Sequence, residues 1–113
     1  MATNQYKFYG TTLTTTDATT LLTPSAAGAG AVETFIIKSF RVTNNTGNTP
    51  TITITNNDIN IVKTQTLAAN ASTEILTLPL IVESSKSIKV TMSSTDSVSI
   101  GISYLNITQE VTV

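Results

Sequence analysis

Ser97-Val98-Ser99-Ile100-Gly101-Ile102-Ser103-Tyr104 decides the fold class. From Val98 to Tyr104 every second residue is apolar, and the residues between are serine or glycine. A period of two puts the apolar side chains on one face of an extended strand and the hydroxyls on the other. One dry face and one wet face is the pattern of an antiparallel sheet covering a core. After Tyr104 the phase changes, because Leu105 and Ile107 are apolar while Asn106 is not. A bulge near Tyr104-Leu105 is expected, returning both apolar sets to the core.

The same alternation appears in Thr51-Ile52-Thr53-Ile54-Thr55 and in Ile88-Lys89-Val90-Thr91-Met92-Ser93. Two other segments are apolar on both sides. Phe35-Ile36-Ile37-Lys38-Ser39-Phe40-Arg41-Val42 starts as a doubly buried strand and ends alternating, with Phe40 and Val42 inward. Ile75-Leu76-Thr77-Leu78-Pro79-Leu80-Ile81-Val82 reads as a strand, a kink at Pro79 and a short second strand, since proline cannot donate a ladder hydrogen bond. Weaker strand candidates are 6–9, 19–23 and 59–66. Asn44 to Pro50 is a loop by composition, and Asn56-Asn57-Asp58 a tight hairpin connection. Turn signals recur roughly every 8–12 residues, which predicts an all-β chain: one antiparallel β-sandwich of about 7–8 strands. Immunoglobulin-like and jelly-roll connectivity both remain open.

Composition agrees. Among 113 residues are 24 threonines, 12 isoleucines and 8 valines, β-branched types that suit a pleated surface better than a helix. Charged residues make up 12%, against roughly 25% in ordinary globular chains, so hydroxyls and amides solvate the surface. The length fits one domain. Within it, residues 1–34 are expected to form an N-terminal strand or arm and a flexible loop, and residues 35–113 the sandwich core. Tyr6, Phe8, Tyr9 and Leu13 are the apolar anchors of the first segment and the candidate partner-binding residues. Aromatic side chains gathered near a terminus are good interface material.

Chemistry is sparse. With no cysteine there is no disulfide framework or thiolate metal site, and with no histidine the commonest general base and transition-metal ligand are missing. The carboxylates Asp17, Glu33, Asp58, Glu74, Glu83, Asp96 and Glu110 are dispersed and read as solvated loop charges. Asn56 to Asn60 offers calcium-type oxygens but lacks the glycine and distal glutamate of an EF-hand loop. Gly28-Ala29-Gly30 is followed by neither a helix nor a lysine, so it is no phosphate cradle. The six basic residues do not cluster, and the net charge of −1 gives no footprint for nucleic acid or an anionic membrane. No enzymatic activity, cofactor or metal is expected, and the N-terminus shows no secretion signal. Three N-x-[ST] sequons, at Asn44, Asn70 and Asn106, match the number chance supplies in so hydroxyl-rich a chain.

The strand phrases carry a resemblance. Ile37-Lys38-Ser39-Phe40-Arg41-Val42-Thr43-Asn44, Thr51-Ile52-Thr53-Ile54 and Thr66-Leu67-Ala68-Ala69-Asn70-Ala71-Ser72 resemble the small structural proteins of tailed-bacteriophage virions. So do Leu78-Pro79-Leu80-Ile81-Val82-Glu83, Ser87-Ile88-Lys89-Val90-Thr91 and the run from Val98 to Ile107. Where such proteins often have an Ala-Gly-Asp turn, this chain has Ser84-Ser85-Lys86. The resemblance spans about residues 34–108 and implies a non-enzymatic virion component: a decoration (cement) protein that binds and stabilises the assembled capsid. The implied partners are the major capsid protein or other virion proteins and further copies of the chain, with assembly in the host cytoplasm. The alternative is a neck, tail or fibre-associated Ig-like module that contacts host glycans.

Overall fold

Alternating β-branched runs separated by turn residues produce a molecule of strands. The computed structural model describes residues 2–25, 31–76 and 79–110, and contains no helix among them. Nine strands follow in order: β1 (Ala2–Leu13), β2 (Thr19–Leu22), β3 (Ala31–Asn44), β4 (Thr51–Asn56), β5 (Ile59–Thr66), β6 (Ser72–Glu74), β7 (Leu80–Val82), β8 (Ile88–Met92) and β9 (Val98–Glu110). They form two antiparallel sheets, one ordered β1-β9-β3-β6 with β7 also on β3, the other β2-β8-β4-β5.

The pairing is nested. β1 pairs with β9, β2 with β8, β3 with β6 and β7, and β4 with β5. The chain is therefore one long antiparallel ribbon, turned at Asn57-Asp58 and rolled up until β9 meets β3 and β8 meets β4. This is the jelly-roll order, with β6 and β7 sharing one position, so nine strands fill eight places. Of the two connectivities the sequence left open, the jelly roll is the one formed.

Inner faces of both sheets supply the core. Ile37, Phe40, Val42, Ile52, Ile54 and Ile102 are fully buried, each contributing about 1.5–3 kcal/mol of apolar burial. Tyr104 packs against Phe35 in a tilted arrangement, with ring centroids 4.7 Å apart.

The phase break falls on a different strand from the one expected. β9 holds a continuous register with β1 from Val98 to Gln109, with no bulge at Tyr104-Leu105. The register shifts in β3 instead, between Ile37 (opposite Tyr104) and Ser39 (opposite Ser103), leaving Lys38 unpaired. That extra residue lets Phe35 and Ile37 point inward before it and Phe40 and Val42 after it. β9 needs no correction, because its polar Asn106 stays inward and is hydrogen-bonded.

The first of the two strands expected in 75–82 does not form at its start: Ile75 and Leu76 lie in no strand, and the short strand there is β6, just ahead of them. β6 ends at Glu74 and β7 begins at Leu80, with Pro79 in the break; Thr77 and Leu78 lie outside the described residues. Opposite this gap the Glu74 carboxylate accepts hydrogen bonds from the Phe40 amide and the Ser39 hydroxyl. A side chain thus replaces missing ladder bonds. The boundary drawn at 34/35 falls inside β3, and β1 pairs along its whole length with β9. The flexible loop expected around 25–31 falls largely on residues 26–30, outside those described.

Candidate interaction face

Directly paired residues in a sheet share a face, so the register sorts the paired side chains of the five-stranded sheet into inward and outward sets. Leu13 and Tyr9 stand opposite Val98 and Ile102 and point inward. Leu13 is buried, and Tyr9 packs against the core while half-exposed. Tyr6 and Phe8 stand opposite Leu105 and Ser103 and point outward, 76% and 70% exposed. The four candidate residues therefore divide: two complete the core and two lie on the surface. Strict alternation along β1 separates them.

The outward pair has company that spacing along the chain did not reveal. Tyr6 is opposite Leu105, Leu105 opposite Ile36, and Ile36 opposite Ile81. These four side chains form one apolar row across β1, β9, β3 and β7 on the solvent face, with Ile81 57% exposed. The members are 30 to 69 residues apart from Ile36 in sequence, so only the rolled ribbon collects them. The available signal was the out-of-phase Leu105, which the sequence reading assigned to the core.

Phe8 sits one row along. Gly10 and Gly101 are a directly paired couple, and the Phe8 ring lies over both: a Cβ built on either glycine would meet ring carbons at 3.0–3.1 Å. The two glycines give the ring room to lie along the sheet. Beside it is an open depression of about 330 Å³, lined by Phe8, Gly101, Arg41 and the hydroxyls of Ser39, Ser99 and Ser103 among others. Arg41 makes no ion pair within 4.0 Å among the described residues, where the one such contact joins Lys89 to Asp58 at 3.9 Å.

On the inward side, toward the opposite end of the sheet, the Glu33 carboxylate accepts from Asn106 Nδ2 at 2.8 Å and from the Ser25 amide at 3.0 Å. Partial burial pulls its pKa upward, but these hydrogen bonds and the charge of Lys7 outweigh that and hold it below the ordinary carboxylate value. Burial, with the Glu33 charge added, raises Tyr104. At the other end Asp96 accepts from Ser94 and Asn48, which lowers its pKa. These polar clusters tie loops to strands. No group of three or more metal-ligating side chains occurs among the described residues.

No family model matches the chain, and no curated protein matches it. Among solved structures it is similar to one described as "Bacillus endospore appendages form a novel family of disulfide-linked pili", at a TM-score of 0.44 and 8% identity, covering 98% of this chain and 89% of that one.

Proposed function

We propose that this protein is a non-enzymatic structural module that works by lying against other protein surfaces, as a decoration protein on the assembled capsid of a tailed phage. The observation that carries the reading is the outward apolar row Tyr6-Leu105-Ile36-Ile81, on a face that also presents the short hydroxyls of Thr12, Thr34, Ser39, Thr43, Ser99 and Ser103. Serine and threonine lose little rotamer freedom when covered, and the charges of this face, Arg41, Glu74 and Lys38, lie away from the row, so covering the row itself desolvates no charge. The virion setting comes from the resemblance of the strand phrases. Jelly rolls occur in viral capsid and lectin domains alike, so fold alone does not choose between these roles.

The mechanism is mass action. A module that binds only the assembled shell favours that shell by its binding free energy, repeated over many copies. Copy number in purified particles tests the reading: tens to hundreds per particle are expected. Roughly six or twelve would move the protein to the neck or tail, and absence from particles would overturn the proposal.

One observation favours a second reading, a fibre-type module that contacts glycans: the hydroxyl-rimmed depression beside the flat Phe8 ring. Specific binding on a glycan array that Phe8→Ala abolishes would establish it in place of the first.

A further inference from the structure

The outward face of the five-stranded sheet reads as self-complementary. The three long strands, which an axis along β9 would set over each other, cover about 14 Å by about 40 Å, at ~4.8 Å between strands and ~3.3 Å per residue, or roughly 600 Å², and the β6/β7 edge adjoins them. A stable interface takes about 600–1,000 Å² from each partner, so this face reaches the lower end of that range. At its ladder positions Arg41 and Glu74 are the charged residues, one of each sign, with the bulged Lys38 beside them. A second copy therefore meets little like-charge repulsion.

β9 is the middle of the three long strands, between β1 and β3. A two-fold axis running along β9 between two facing sheets would exchange the β1 side of one copy with the β3 side of the other. Leu105 would then lie against Leu105 of its partner, and Tyr6 against the partner's Ile36 and Ile81. Arg41 would come over the partner's Gly10 and the exposed ring of the partner's Phe8, where a guanidinium over an aromatic face is favourable. Apolar meets apolar and cation meets ring, the reciprocal arrangement an isologous contact requires. The paired glycines also acquire a purpose, because an upright Phe8 would hold two sheets apart.

We propose that the outward face of this sheet binds a second copy of the chain, face to face about an axis along β9 with Leu105 at its centre. The proposal rests on the reading of this face as a protein-contact surface and names its occupant. The test uses the full chain. Sedimentation velocity is expected to show a dimer, and Leu105→Glu, which sets two carboxylates against each other, is expected to weaken it by at least about tenfold. Because the chain has no cysteine, Leu105→Cys introduces a single thiol. A bis-maleimide spanning about 10 Å, the usual distance between packed sheets, is expected to join it to its own partner. Thr91→Cys, exposed on the other sheet, is expected to stay uncrosslinked.

A monomer at every concentration up to about 1 mM, or a dimer indifferent to Leu105→Glu in a protein whose circular dichroism is unchanged, would overturn the proposal. So would crosslinking of Leu105→Cys no better than that of Thr91→Cys, and this arm decides if Leu105→Glu does not fold. Particle copy number is read separately: a monomeric Leu105→Glu protein still bound to particles confirms this interface and leaves capsid attachment to another surface. A native chain that dimerises through this face and is absent from particles removes the capsid reading alone.

Discussion

Single residues in this protein are decided by hydrogen-bond accounting more than by charge. Asn44 is 1% exposed and spends its whole side chain on neighbours: Nδ2 donates to the Asn48 and Ala68 carbonyls, and Oδ1 accepts from the Thr46 amide and hydroxyl. Asn106 is 3% exposed and held by Glu33 and Thr108. Two of the three N-x-[ST] sequons thus have buried, engaged asparagines, a property invisible to a pattern of three letters. Glu33 yields a pH prediction. Its folded pKa lies below the ordinary carboxylate value, so the folded state releases this proton more readily than the unfolded chain does. The stabilisation is complete above the ordinary carboxylate range and disappears as pH falls through the lower folded value. Urea unfolding at pH 7 and pH 3 is therefore expected to differ less in Glu33→Gln than in the native chain. An equal acid loss in both would assign the effect elsewhere.

At the scale of elements, turns and irregularities set the register. Asn57 and Asp58 both take positive φ, 54° and 62°, between Asn56 and its partner Ile59. That is a type I′ hairpin, matched to the right-handed twist of its strands. Asparagine tolerates this conformation well and aspartate less so, whereas glycine adopts it freely. Asp58→Gly is expected to stabilise the protein by about 0.5–1 kcal/mol in denaturant unfolding, because the exposed contact to Lys89 at 3.9 Å that it removes is worth little. β5 shows the opposite case. Its pairing with β4 shifts twice, and Thr64 at φ 49° donates its amide to the Thr53 hydroxyl. Such irregularity blunts an edge that would otherwise template pairing with another chain.

At the scale of the whole molecule, the nested ribbon makes the longest-range pair the outermost one. Ala2 stands opposite Gln109, and all of β1 depends on β9. Closing such pairs takes large loop entropy, so folding in milliseconds to seconds is expected. Removing residues 1–13 takes Leu13 and Tyr9 from the core and bares one edge of β9. A loss of at least about 3 kcal/mol is expected, given the cost of deleting a buried leucine alone, with a lowered melting temperature and increased light scattering. A truncated chain that melts like the native protein would mean β1 is an appendage and not part of the fold.

Much of this was legible beforehand. The alternation at 51–55, 88–93 and 97–104 identified strands and their inward residues, and Asn56-Asn57-Asp58 identified the hairpin, because period and turn chemistry are local properties. The bulge was misplaced because a phase break in one strand can be absorbed by its neighbour: Lys38 on β3 does what Tyr104-Leu105 was expected to do. The outward face was half legible. Tyr6 and Phe8 stood out as aromatics, but Tyr9 and Leu13 belong to the core, and Leu105, Ile36 and Ile81 joined the surface row unannounced. The sequence by itself determined an all-β sandwich, its dry and wet residues and its principal turns. Only the tertiary structure decided the jelly-roll order, the place of the bulge and the composition of the outward face. The physical reason is that pairing across a sheet links residues distant in the chain, and the chain carries no local record of which strand becomes its neighbour.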